Sequence, residues 1–189
     1  MADGCFLLKK YWLLAISYQP LAKKMLNIFN DIKNTIIITV GNDFRSDDGV
    51  GPYIYRRVMF KNGDCPKRSG WTVPLFKHCH YIINAGINPE NIIDDVINLR
   101  PKKIIIIDCA DFKGKPGEIK IIPEDAIPET SISTHTIPMP VITQILKNDT
   151  GAEIYYLGIQ PKNIELGEGL SKEVKKSADS LCRDITSLL

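Results

Sequence analysis

Asp47, Asp48, Asp108 and His135 are the side chains whose types and placement could do chemistry together. Asp47 and Asp48 follow an apolar run and a Gly41-Asn42 turn in IIITVGNDFRSDDGVGP. Asp108 ends the run KIIIID, and His135 stands in STHTIP, ahead of a further helix. In an open parallel sheet, ligands collect beyond the carboxyl ends of the strands. Parallel pairing of these runs would therefore bring two carboxylates and an imidazole to one sheet edge. Such a three-point site with open positions suits a divalent metal of intermediate hardness, such as nickel or zinc. Without a fourth protein ligand, its natural use is to meet a metal supplied by a partner.

Each residue also has a plainer role. Asp47 or Asp48 can cap the helix that follows, worth about 0.5–2 kcal/mol, and a strand-terminal Asp such as Asp108 often caps its own turn. His135 can cap its helix or lie on the surface. His78 and His80 share one face of a strand, but nothing flanking them supports a ligand pair. Cys109 is the one candidate for a covalent nucleophile, and it and Cys182 are expected as small buried hydrophobes. The glycines do not form G-x-G-x-x-G, and acids stand where phosphates would lie, so a nucleotide site is disfavoured.

The elements that must carry these residues alternate. Thr35–Val40 is continuously apolar, as in a strand buried on both faces. Val50, Ile54 and Val58 give a helical stripe from Gly49 to Phe60, with Pro52 tolerated in its first turn. Trp71–Phe76 reads as an edge strand and Cys79–Asn84 as a strand closed by Ala85-Gly86. Asn88-Pro89-Glu90 predicts a helix start with Asn88 as N-cap, a buried stripe of Ile92, Ile93, Val96 and Leu99, and a stop at Pro101. Strands at Lys103–Asp108 and Glu118–Ile122 follow, then an irregular loop from Pro123 to Ser133. A helix from Ile137 to Lys147, a strand at Glu153–Ile159 and an amphipathic helix from Ser171, with its apolar stripe at Val174, Ala178, Leu181, Ile185 and Leu188, complete the chain. The expected fold is a three-layer α/β sandwich with a twisted, mostly parallel sheet, of the phosphorylase/hydrolase-like kind.

The 189 residues suit a single domain over residues 25–189 with an N-terminal arm over residues 1–24. Met25 is an alternative start, which would make the arm an artefact. A net charge of +2 favours neither nucleic acid nor an acidic membrane. The apolar stretch Cys5–Tyr18 is interrupted by Lys9 and Lys10 and falls short of the ~20 residues a bilayer span needs. Five widely spaced cysteines with no C-x-x-C suit a reducing cytoplasm rather than a disulfide framework.

The segment TVGNDFRSDDGVGP resembles the signature of the hydrogenase maturation proteases: a strand, G-N, a short loop, D-[DE]-G and a glycine. INAGINPEN, IIIIDCADFKGKPGEI and STHTIP resemble the segments that follow in that family, and YLGIQP is similar to the type that processes the large subunit of hydrogenase 3. Asn84 departs from the usual Asp. The resemblance spans roughly Asn34 to Leu189. It implies a cytoplasmic endopeptidase, expected as a monomer, that removes a C-terminal extension from a [NiFe]-hydrogenase large-subunit precursor once nickel is in place. It implies Asp48, Asp108 and His135 as metal ligands, with Asp48 and Asp108 catalytic in a metal-dependent or aspartic-type mechanism. The nickel would come with the precursor, and other divalent metals could replace it in vitro. Asp47 is then a helix-start or supporting residue. The alternative use of the same ligands is a non-enzymatic nickel sensor or delivery protein.

Overall fold

The computed structural model describes residues 28–29, 34–60, 82–127 and 137–188. The chain divides between Asn30 and Asp31, and every element named below lies in the unit Asp31–Leu189. The expected arm over 1–24, the boundary at 25, the strand at Trp71–Phe76 and residues 79–81 of the next strand lie outside the described residues.

A five-stranded sheet organises the unit, in the order β2-β1-β3-β5-β4. These strands are β1 (Thr35–Val40), β2 (Ile82–Gly86), β3 (Lys103–Cys109), β4 (Ile119–Ile122) and β5 (Glu153–Ile159). Four run parallel, and β4 pairs antiparallel with β5 at the edge. Every residue of β1 is buried, as are six of seven in β3. Strands without polar alternation need cover on both faces, and four helices supply it: α1 (Val50–Met59), α2 (Ile93–Leu99), α3 (Met139–Thr150) and α4 (Lys172–Leu188).

Because side chains alternate along a strand, Ile36, Ile38, Val40, Ile104 and Ile106 share one face. They form a core with Val96 of α2 and Met139, Ile142 and Leu146 of α3. Ile37, Ile105 and Ile107, all fully buried, point the other way, to the side where α1 packs on β1 and α4 packs on α1. The face of α4 made by Val174, Ala178, Leu181 and Ile185 is buried at the predicted spacing. No helix among the described residues is long and apolar enough to cross a membrane.

The helix after β2 departs from expectation. Asn88 makes no side-chain capping bond to the backbone, and the chain first forms a 3-10 turn over Pro89–Ile92 before α2 begins. Leu99 is 45% exposed, because α2 is two turns long and only Val96 reaches the core fully. The helix stops in the left-handed turn of Arg100, one residue before Pro101. Within the expected loop after Pro123, a 3-10 turn covers Glu124–Ala126. The extended Pro138 delays α3 to Met139, and Gly151, at φ +66°, closes it three residues later than expected by donating to the Lys147 carbonyl at 2.9 Å.

The order of connections matters for function. From β1 the chain passes through α1 to β2, then returns through α2 past β1 to β3. The direction of winding therefore reverses between β1 and β3, which is where open α/β sheets leave a crevice at their carboxyl edge.

Gly51 lets α1 start against the end of β1. A Cβ there would lie 2.0 Å from the Val40 carbonyl oxygen, backbone against backbone, whereas one on Gly151 would meet nothing within 4 Å. Gly51→Ala is therefore expected to lose about 3 kcal/mol by forcing the two elements apart. Gly151→Ala should lose only about 1 kcal/mol, from the left-handed backbone alone. Urea denaturation of the two variants checks the difference.

Candidate active site

At the end of β1, Gly41 adopts φ +140°, and a Cβ on it would stand 2.0 Å from the Asp48 carbonyl oxygen. The loop therefore folds back on itself. The Asn42 N–H donates to the Asp48 backbone oxygen at 3.2 Å and to its Oδ2 at 3.1 Å. The Asp48 N–H donates to the Arg45 carbonyl at 3.0 Å. A 3-10 turn over Ser46–Gly49 then leads into α1, with no side-chain cap from either acid. The helix-cap roles open to Asp47 and Asp48 from the sequence are thus not the ones they play.

The two adjacent acids face different tasks. Asp47 is fully buried and accepts three backbone N–H groups from one distant loop. Its Oδ2 takes Lys162 at 2.8 Å and Asn163 at 3.0 Å, and its Oδ1 takes Ser171 at 2.6 Å. Asp48, also fully buried, sits in a turn packed against β3.

Asp108 comes from the neighbouring strand. Thr39 pairs with Ile107 in the parallel register, so Asp108 lies one step beyond, on the other side of the winding reversal from Asp48. Its Oδ1 accepts the Cys109 N–H at 2.7 Å and its Oδ2 accepts the Tyr156 hydroxyl at 2.5 Å. Both donors favour the ionised form, yet complete burial outweighs them and pushes the carboxyl up to about 6. The same burial, with the charges of Asp108 and Asp48 nearby, raises the Tyr156 hydroxyl far above its ordinary range.

The Asp48 turn and Asp108 thus meet at one sheet edge. His135, His78 and His80 lie outside the described residues. Among the described residues no three His, Cys, Asp or Glu side chains gather closely enough to hold a metal ion, so Asp48 and Asp108 alone would need a further ligand.

Known proteins are similar to this chain in sequence and fold. The sequence pattern of hydrogenase maturation proteases matches residues 74–188. The hydrogenase 3 maturation protease of Escherichia coli is 33% identical over 147 residues, covering 77% of this chain and 85% of that protein. The chain belongs to the hydrogenase maturation protease family. A Methanocaldococcus jannaschii relative named for the same family is 36% identical over 165 residues, covering 87% of this chain and 94% of its own. The [NiFe] hydrogenase maturation protease HycI of Thermococcus kodakarensis superposes with a TM-score of 0.69 at 25% identity, over 87% of this chain and 97% of that one.

For a hydrogenase maturation protease, the surroundings of the two carboxylates bear on how a peptide bond could be cut. Cys109 is buried, and its thiol is pushed far up, first by burial and then by the charges of Asp108, Asp48, Asp47 and Asp111. A thiol held protonated in this way is a poor nucleophile. Asn84 accepts the Gly86 N–H at 3.2 Å and the Thr39 hydroxyl at 3.3 Å and so shapes the end of β2.

Gln160 is a structural organiser that reading by residue type passed over. Its Oε1 accepts the N–H groups of Phe112 and Gly114, each at 3.0 Å, and its Nε2 donates to Asp111 Oδ1 at 3.1 Å and to the Pro161 carbonyl at 3.3 Å. The loop that follows Asp108 is thereby tied to the end of β5. Its only signal in the sequence was its place before Pro161 at a strand end, in the segment YLGIQP.

Asp47→Asn would put an amide where an N–H now points, and is expected to cost about 1–3 kcal/mol of stability. Tyr156→Phe removes one of the two donors that Asp108 has among the described residues and should cost about 2 kcal/mol. It should also raise the Asp108 pKa, since the lost hydrogen bond favoured the ionised form. Chemical denaturation checks the stabilities, and carboxyl-carbon NMR titration of Asp108 checks the shift.

Proposed function

We propose that this protein is an endopeptidase that removes a C-terminal extension from the nickel-loaded precursor of a [NiFe]-hydrogenase large subunit, reading the nickel as the sign that assembly is complete. The observation that carries this reading is the pair Asp48 and Asp108, buried on either side of the β1–β3 reversal. Family membership supports it.

Nickel here is part of the substrate. Asp48, Asp108 and His135 contact it, two carboxylates and an imidazole suiting a metal of its hardness. Docking through the metal holds the scissile bond beside the carboxylates, a proximity effect. Hydrolysis also needs an activated water, and the carboxylates beside the scissile bond are the groups positioned to accept its proton. Metal-assisted and aspartic-type chemistry both use these residues. The reaction belongs in the cytoplasm on this reading, and the free thiols of Cys109 and Cys182 among the described residues support it.

The test is processing of the precursor with and without nickel, read as C-terminal shortening on a gel or by intact mass. Nickel-loaded precursor should be cut and nickel-free precursor should not. Asp48→Asn, Asp108→Asn and His135→Ala should each slow cleavage by at least ~100-fold, the scale of losing a group used in the transition state. Stable co-purification with nickel-loaded precursor but no shortening would replace the peptidase with a nickel-sensing or delivery role.

A further inference from the structure

Tyr156 reaches Asp108 from the neighbouring strand. In the parallel register Tyr156 pairs with Ile106 and Gly158 pairs with Asp108. Alternation along the two strands puts all four residues on one face of the sheet. Gly158 brings no side chain to Asp108, and a Cβ there would stand 2.5 Å from Ile122 Cδ1 and 3.0 Å from Ala110 Cβ. Apolar groups therefore close the space at that position. Among the described residues, the side chain that does reach Asp108 is Tyr156, whose hydroxyl donates to Oδ2 at 2.5 Å. Its ring is 2% exposed and lies in the core with Ile106, Ile122 and Met139, where close packing holds a side chain to one rotamer.

The carboxylate is thus held at both oxygens. The Cys109 N–H, 2.7 Å from Oδ1, belongs to the backbone of β3 itself. Alone it would leave Oδ2 free to turn, and Tyr156 removes that freedom. A carboxylate has about four lone-pair sites on its two oxygens, so a donor on each leaves each oxygen one further site in a fixed direction. Packing does not ask for the hydroxyl, because a Phe ring would fill the same space. Tyr155 supplies the comparison: it faces the other way on β5, and its hydroxyl donates to Glu153 Oε1 at 2.5 Å in an exposed pair.

We propose that Tyr156 is a positioning residue for nickel reading: its hydroxyl sets the orientation in which Asp108 meets the metal of the precursor. It thereby sets how strongly nickel-loaded precursor is preferred over nickel-free precursor. The inference rests on the peptidase reading, in which Asp108 contacts that nickel. Hydrogen bonds to a metal-ligating group fix its geometry, and losing one typically costs about 10–100-fold in metal affinity.

The test measures, by biolayer interferometry, the affinity of the full chain for nickel-loaded and for nickel-free large-subunit precursor, and takes the ratio. A change that only loosens the core weakens both affinities together and leaves the ratio alone. Tyr156→Phe should lower the ratio at least ~10-fold, whereas Tyr155→Phe should leave it within twofold of wild type. In an Asp108→Asn background Tyr156→Phe should cause no further loss, because the two side chains act as a unit. A ratio within twofold of wild type for Tyr156→Phe, or an undiminished loss on top of Asp108→Asn, overturns the positioning role and leaves the peptidase reading standing. A wild type whose nickel preference depends on Tyr156 but that never shortens the precursor keeps the role and removes the peptidase reading. A second measurement needs no variant. When Cd2+ alone is titrated into wild type carrying carbon-13 tyrosine and aspartate, the Tyr156 Cζ signal should move together with the Asp108 carboxyl signal while that of Tyr155 stays. A Tyr156 signal that stays put while the Asp108 signal moves overturns the proposal.

Discussion

The carboxylate of Asp47 holds the carboxyl edge of this molecule together. It lies between two loops, accepts three backbone N–H groups from one of them, and is covalently part of the other. A buried charge is tolerated only where donors replace its lost water, and three short, charge-assisted bonds do that. The consequence reaches both neighbours in sequence. Asp48 is held in a turn against β3, and Phe44 is carried to the bridge that pairs its loop with Gly167.

The second constraint is dryness. Helices on both faces bury all of β1 and all of β3 beyond Lys103, so the acids at their ends begin inside the protein rather than on its surface. Burial raises the proton affinity of Asp108 into the range where it can exchange a proton near neutrality, and it raises the Cys109 thiol out of use. One desolvated environment thus separates two adjacent residues into a carboxyl that titrates near neutrality and a thiol held protonated. Asp108 stays poised because Tyr156 and the Cys109 N–H offset part of the burial cost. Gln160 holds the loop that follows it.

Much of the framework was legible because burial on both faces leaves a plain mark in sequence. The runs at Thr35–Val40 and Glu153–Ile159 became strands with those bounds, and the stripe Val174, Ala178, Leu181, Ile185 became the buried face of α4. Where the marks were weaker, other forces prevailed. Asn88 looked like a cap, yet the turn that begins at Pro89 is 3-10, and no capping bond forms. Leu99 had the right spacing for the core, but it is the last residue of a two-turn helix and stays 45% exposed.

The sequence by itself determined the alternation of elements, the mostly parallel sheet and the delivery of acids to strand ends, because these follow from local periodicity and from where apolar runs stop. Only tertiary structure decided what adjacent acids do. Asp47 and Asp48 are the same residue type, one position apart, and no local rule separates them. The groups that distinguish Asp47 lie 115 to 124 residues away, and the hydroxyl that holds Asp108 lies 48 residues away. Hydrogen bonds between distant segments leave no period in a sequence; they exist only once the strands are in register and the loops have met.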